Sequence, residues 1–404
     1  MRDRGDVVRD EGADAHGAAE GSVRFQNAGR RQTHPWRHRW TDVRAFIELS
    51  GEHPTLPRAE ALAALASERV EVQTASFDNQ VLRIDAVGPV ERATHRLGLA
   101  HLVSEELAAG DFEAIRAFAQ DVDLHGRTFR VRSRGLGIDV DPLAVEGPLG
   151  SDFGRTGRVD LDQPAVDYRL LIGEEFLLGR VIHRVDRARL EATKVAHRSF
   201  SLPISLHPKF ARALVNFARV PMAGTVLDPF CGTGGVLLEA AAIGLRPIGL
   251  DRDRRMVLGC RPSLRDVHAE DRLAMADAGH LPLRSGSVHG IATDPPYGRA
   301  ASTRGESIKS LYGRAFRAFR DLLPSAAHVA IVLPNDAMID LASEHRRPVS
   351  SRAPRRSPSP GGRRCPTRPA QSRSDQGPRA GTRSAGTSGC PCSRGSWRCR
   401  SEAP

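Results

Sequence analysis

The chain has 404 residues, of which 40% are hydrophobic, enough for cores in two or three domains. No run of about 18 apolar residues occurs, so no membrane span is expected. The net charge of +11 does not argue for nucleic-acid binding: residues 346–404 hold 14 arginines against only Asp375 and Glu402, which leaves the rest close to neutral.

In chain order, residues 1–42 are polar and irregular and read as a disordered extension or an over-early start codon. A first α+β subdomain is expected over 43–90, with a strand at Arg44–Leu49, an Ala/Leu-rich helix at Arg58–Arg69 and a strand at Gln80–Asp85. A second unit is expected over 91–200. There His95–Leu107 reads as helical, and Ala165–Ile172 and Glu175–Ile182 as strands. Thr128 to Arg134 alternates, with Phe129 and Val131 on one face and arginines on the other. Arg127, Arg130, Arg132 and Arg134 form a candidate phosphate-contacting face; a solvated strand face is the plain alternative.

Pro208 suits the first turn of a helix running to Ala218. Thr225–Asp228 then reads as a strand entering the glycine-rich loop Pro229–Gly235, and Val236–Ile243 as a helix. Gly232, Gly234 and Gly235 allow close backbone approach to a ligand, and the helix N-terminus behind them favours a carboxylate. No Gly-Lys-Ser/Thr follows, so this is not a phosphate-binding P-loop. The segment resembles motif I of the class I S-adenosylmethionine-dependent methyltransferases, whose loop holds the methionine end of the cofactor. Asp251 ends the next strand, Arg246–Asp251, 23 positions after Asp228, where a carboxylate can accept both ribose hydroxyls. Asp277 precedes a loop and can accept from the adenine amine. Single loop acids are usually just solvated; their register with the glycine motif gives these two their meaning. The resemblance implies cofactor contacts at Asp228, Phe230, Cys231, Gly232, Thr233, Gly234, Asp251, Asp277 and Ala278.

Asp294-Pro295-Pro296-Tyr297-Gly298 follows the apolar run Val288–Thr293, at the carboxyl end of a buried strand. An exocyclic amine is a poor nucleophile because its lone pair is delocalised into the ring. The Asp294 carboxylate and the Pro295 carbonyl can accept both N–H groups, turn the nitrogen toward sp³ geometry and aim its lone pair at a methyl donor. Pro295 and Pro296 stiffen the loop, so the acceptors are preorganised, and Tyr297 offers a flat face to a base that has left its stack. An ordinary Pro-Pro turn is the structural alternative. Ile308–Leu323 then reads as an amphipathic helix and Ala327–Leu333 as a buried strand.

Residues 43–200 resemble the N-terminal region plus THUMP domain of RNA-modifying enzymes, on Arg127–Arg132, Arg158–Leu161 and Lys194–Phe200. With the catalytic domain ending in Asp294–Arg299, residues 43–345 are similar to the archaeal tRNA guanine-10 N2-methyltransferase family. That resemblance implies an α/β chain: a doubly wound, Rossmann-like methyltransferase domain over 201–345, preceded by an α+β module with a THUMP-like RNA-binding domain over 91–200. It implies S-adenosylmethionine as cofactor, tRNA as partner and methylation of a guanine N2; no metal is expected, the location expected is cytoplasmic, and the oligomeric state stays open with a monomer favoured, as does a small activator subunit of the kind some eukaryotic relatives need. Rival readings are the same chemistry at another tRNA or ribosomal RNA site, a DNA adenine-N6 or cytosine-N4 methyltransferase, and an inactive remnant.

Only Cys231 and Cys260 lie outside the tail, which fits a reducing compartment. Residues 346–404 contain no Leu, Ile, Phe, Tyr or Met and cannot bury a core. A sheet of this family ends with a further helix and an antiparallel hairpin, neither of which is expected here. The tail therefore reads as a disordered Arg/Pro/Ser/Gly segment behind a frame slip near residue 345, the alternative being a basic arm for RNA.

Overall fold

The computed structural model describes residues 42–192, 200, 205–297 and 305–345. The expectations for both termini, for most of Lys194–Phe200 and for Gly298 fall outside these residues. From the N-terminal side the elements are β1 (Asp42–Leu49), α1 (Leu56–Ser67), β2 (Glu71–Asp78), β3 (Val81–Val87), α2 (Val90–Thr94), β4 (Ala100–Gly110), α3 (Phe112–Asp121), β5 (Thr128–Gly135), α4 (Pro142–Phe153), β6 (Arg158–Val159), β7 (Val166–Ile172), β8 (Phe176–Arg184) and α5 (Arg187–Ala192). They continue with α6 (Pro208–Phe217), β9 (Thr225–Asp228), α7 (Gly235–Ala242), β10 (Arg246–Asp251), α8 (Arg254–Asp266), β11 (Leu273–Met275), β12 (Gly290–Thr293), α9 (Ile308–Leu322), β13 (His328–Ile331) and α10 (Asp336–Glu344). No helix among the described residues is long and apolar enough to cross a membrane.

Two compact units interleave along the chain. Of the described residues, one comprises Asp42–Glu48, Glu71–Pro89 and Leu102–Arg184; the other comprises Leu49–Val70, Val90–His101 and those from Val185 to His345. The first is built on one eight-stranded sheet in the order β2-β3-β1-β4-β8-β7-β5-β6. Strands expected in 43–90 and strands expected in 91–200 thus share a sheet. Helices α3 and α4 cover it through Phe129, Phe153, Tyr168 and Leu170, with Phe153 stacked on Tyr168 at 4.2 Å between ring centroids.

The helix expected over His95–Leu107 is instead the strand β4. It pairs antiparallel with β8, and register shifts between Val103 and Ser104 and between Glu106 and Ala108 interrupt the alternation of faces. Those bulges break the period-2 pattern that marks a strand, so the helix-forming residues there read as a helix.

The second unit holds a parallel sheet in the order β11-β10-β9-β12-β13. Adjacent residues on β9 serve opposite faces. Val226 packs with Leu214, Val215 and Ala240 from α6 and α7, while Leu227 packs with Phe316, Phe319 and Leu341 from α9 and α10. Each such buried Leu or Phe contributes roughly 1.5–3 kcal/mol. Helices on both faces make the sheet doubly wound. The chain leaves β9 toward β10 and β11 on one side and returns at β12 on the other. A topological switch point therefore lies between the carboxyl ends of β9 and β12, where such folds bind ligands. The further helix after the last strand, not expected from the sequence, is present as α10, whose Met338 and Leu341 complete this core.

Candidate active site

The loop after β9 is shaped by backbone requirements. Gly232 and Gly234 adopt φ of +50° and +83°, a region that penalises side chains. A Cβ on Gly234 would also stand 2.9 Å from the Cys260 Cβ, whereas one on Gly232 would meet nothing closer than the Phe230 carbonyl at 3.9 Å, so open space lies over the loop. Gly234 caps α7, whose N-terminal amides sit directly behind. The hydroxyls of Ser205 and Thr233 are 2.8 Å apart. Cys231 and Cys260 are buried and free. Contact with Cys260 together with burial pushes the Cys231 thiol well above its ordinary range, which removes it as a nucleophile.

Asp228 is buried at the end of β9. Its Oδ1 accepts from the Phe230 N–H at 3.1 Å and from the Thr293 hydroxyl at 2.6 Å. The second bond ties β9 to β12 across the switch point. Burial, above all, pushes this carboxyl up to about 7, with Asp294 and Asp251 adding to the rise. Asp251, at the end of β10, accepts from the Gly232 N–H at 2.9 Å and from the Asp253 N–H at 2.8 Å. The acid expected to meet the ribose thus also fixes the glycine loop, and each oxygen keeps a lone pair for a hydroxyl.

Asp277 is held differently. Arg314 on α9 donates to its Oδ1 at 2.7 Å and to its Oδ2 at 3.3 Å, and the Gly279 N–H adds a bond at 2.7 Å. Arg314 holds the Asp277 carboxyl below the usual range. The same guanidinium bonds Glu306 at 2.9 and 2.8 Å. Asp277 is therefore an oriented acid already engaged by a cation.

The second acceptor set stands at the end of β12. Asp294 Oδ1 is buried and has no hydrogen-bond partner among the described residues. Burial alone pushes this carboxyl up to about 6. Pro295 is buried and Tyr297 is half-exposed. The fully buried Tyr312 of α9 donates from its hydroxyl to the Pro296 carbonyl at 3.2 Å and so pins the loop. Thr293, Tyr312 and Arg314 had no role in the sequence reading. A tyrosine and an arginine two apart on α9, beside its apolar face, were the available signal. No group of three His, Cys, Asp or Glu side chains among the described residues is placed to hold a metal ion.

In the eight-stranded sheet, three of the four candidate RNA-binding arginines are engaged by carboxylates. Arg130 grips Asp167 at 2.9 and 2.8 Å, Arg132 reaches Glu146 at 3.3 Å, and Arg134 reaches Glu48 at 2.8 Å. Arg127 is exposed and forms no ion pair among the described residues. Phosphate contact on this strand would compete with those carboxylates.

A family model for the RMKL-like methyltransferase domain matches residues 196–356. The chain is 35% identical to a tRNA (guanine(10)-N2)-dimethyltransferase of Methanothermobacter thermautotrophicus, across 74% of this chain and 88% of that protein. It is 30% identical to the protein of the same name from Pyrococcus abyssi, across 72% and 88% respectively. A tRNA (guanine(6)-N2)-methyltransferase of Thermus thermophilus is 34% identical, across 62% and 76%. Among solved structures, TrmN from Thermus thermophilus is 25% identical with a TM-score of 0.44, covering 76% of this chain and 92% of that one. Identity at this level over most of both lengths, together with two loop motifs at the switch point, places the chain in the archaeal tRNA (guanine-10-N2)-methyltransferase family.

Proposed function

We propose that the chain transfers a methyl group from S-adenosylmethionine to the exocyclic N2 of guanosine in tRNA, at position 10. The observation that carries this reading is the Asp294 Oδ1: a buried acceptor without a partner among the described residues, held at the switch point beside two prolines. An N–H donor there gains a bond that the described residues do not supply.

The residues fit the cofactor. Open space over Gly232, the N-terminus of α7 and the Asp251 carboxylate are what a methionine carboxylate and a ribose require. Asp228 and the loop Phe230–Gly234 would hold the methionine end, Asp251 the ribose, and Asp277 with Ala278 the adenine. When bound, S-adenosylmethionine supplies an electrophilic methyl group. The chain's residues do the rest by position. Asp294 and the Pro295 carbonyl accept the two amine N–H groups and rehybridise the nitrogen. Tyr297 stacks on the extruded base. Tyr312 keeps the loop from relaxing. No covalent intermediate with the enzyme is needed, and the proton shed by the methylated amine passes to Asp294 or to water. Most of the acceleration comes from orientation and preorganised acceptors.

The eight-stranded unit is the THUMP-containing module and grips the tRNA; the protein acts as a monomer in the cytoplasm. The test is methyl transfer from labelled S-adenosylmethionine to unmodified tRNA transcripts, with the nucleoside identified by mass. N2-methylguanosine supports the reading, and its mass distinguishes one added methyl from two. N6-methyladenosine or N4-methylcytosine, or no transfer at all, would overturn it.

A further inference from the structure

Most arginines of the eight-stranded sheet face carboxylates; the cations of α9 divide into two groups. Arg314 is clamped between Asp277 and Glu306. Lys309 and Arg317 are exposed, and neither forms an ion pair among the described residues. Lys309, Gly313 and Arg317 recur every four residues and so share one stripe of the helix. The Arg317 Nη1 lies 3.7 Å from where a Cβ on Gly313 would stand, so the guanidinium leans back one turn toward Lys309. Both residues line one shallow, open depression of about 350 Å³, together with Ser307, Ser310 and Leu341.

Among the described residues no carboxylate pairs with either cation. Glu306 is occupied by Arg314 and by the Ser310 hydroxyl. Asp340 and Glu344 of the neighbouring α10 form no ion pair with either cation. Two exposed cations one helical stripe apart, with no carboxylate paired to either among the described residues, favour an anion from outside. Gly313 leaves the floor of the groove free of a side chain, and α9 is also the helix whose Tyr312 holds the catalytic loop through Pro296.

We propose that the Lys309–Arg317 groove binds the phosphate backbone of the RNA substrate and registers it against the Asp294 loop. This rests on the reading of the chain as a tRNA methyltransferase. Both contacts lie on α9, in the methyltransferase unit.

The test uses the full chain with Lys309→Ala, Arg317→Ala, the double variant, and Arg317→Lys as a charge-preserving control. Dissociation constants for an unmodified tRNA transcript are measured from 50 to about 300 mM salt, beside steady-state kinetics and cofactor affinity. Each phosphate contact contributes about 0.7–0.9 to the log–log salt slope. The double variant is expected to lower that slope by about 1.5 and to raise KM for tRNA about tenfold, with kcat and cofactor affinity within about twofold. Arg317→Lys keeps the slope. A double variant with the wild-type slope and KM overturns the proposal. If that variant instead loses binding to a polyglutamate probe, the groove belongs to an acidic protein partner and the RNA assignment is wrong. A wild-type chain that neither binds nor methylates tRNA defeats the parent reading, a result distinct from either.

Discussion

Two buried carboxylates, Glu48 at the end of β1 in the eight-stranded sheet and Asp294 at the end of β12 in the parallel sheet, have opposite surroundings. Glu48 accepts from Arg169 at 2.6 and 2.8 Å and from Arg134 at 2.8 Å. Burial pushes its carboxyl up, and the two guanidiniums outweigh burial and hold it low. Among the described residues Asp294 has the burial without the cations: its Oδ1 is unpartnered there, and its carboxyl rises to about 6. A satisfied buried charge ties elements of the fold together. A buried acceptor left open costs stability and persists where it has something to accept.

Removing the open acceptor should have the largest effect on chemistry and none on the fold. Asp294→Ala is expected to lower kcat by about 10³-fold or more, the scale of losing a preorganised group at the reacting centre. Cofactor affinity should stay within a few-fold, and the melting temperature should not fall. Equal loss of cofactor binding would show that Asp294 serves the cofactor site and not the amine. The pH dependence has a definite sign. Transfer needs the ionised carboxylate, so kcat in wild type falls as pH drops through about 6. Stability runs the other way. A folded-state pKa raised above the unfolded value means a contribution fully present at low pH and lost as pH rises through about 6. Asp294→Ala should remove that component from a plot of unfolding free energy against pH.

Glu48→Gln should invert the pattern. It leaves two guanidiniums facing a neutral amide beside a side chain that is 1% exposed. The expected cost is about 3 kcal/mol, the low end for breaking a buried pair, because both arginines retain some contact with water. Urea unfolding measures it. Turnover per folded molecule should be unchanged. The folded-state pKa of Glu48 is depressed, so its stabilisation is present above the ordinary glutamate range and lost as pH falls through the folded value. A variant as stable as wild type would mean that the Arg134 and Arg169 contacts contribute nothing net.

The same contrast explains what was legible in the sequence. The loops Asp228–Gly235 and Asp294–Tyr297 were readable because glycine and proline carry their backbone requirements locally, and the strands feeding them are short apolar runs. The partners of the sheet arginines were not, since Glu48 lies 86 residues from Arg134 and 121 from Arg169. The interleaving of the two units was hidden for the same reason: α1 and α2 sit between strands in sequence yet belong with α6, where Asn216 bonds Glu60 at 2.9 Å. β2 has an exposed, polar pattern with little hydrophobic signal, and β4 is disguised by its bulges.

A smaller effect sits on α9. Tyr312→Phe removes only the hydroxyl bonded to the Pro296 carbonyl. One neutral hydrogen bond is about 1 kcal/mol, so kcat should fall by about tenfold at most, with KM for tRNA and cofactor affinity unmoved. A change in cofactor affinity without a change in kcat would place Tyr312 outside the catalytic loop's support.

Asp277 tests the contrast from the middle. It lies at the ligand crevice as Asp294 does, yet it is paired with a guanidinium as Glu48 is. If pairing alone made an acid structural, Arg314→Ala would cost stability and nothing else. We expect otherwise. Arg314 is a quarter exposed, so the loss of its ion pairs is screened and should cost less than about 1 kcal/mol. Its effect should appear in cofactor affinity, weakened about fivefold, because the guanidinium sets the direction of the Asp277 carboxylate and its stem lies against Gly279, where an added Cβ would stand 2.9 Å from the Arg314 Cβ. Arg314→Lys should recover little, since one ammonium cannot reproduce the paired bonds to Asp277 and Glu306. Titration of the cofactor by calorimetry, beside thermal melting of the same samples, separates the outcomes. Unchanged affinity with lowered stability would make Asp277 a structural acid like Glu48, and adenine recognition would then fall to the backbone at Ala278.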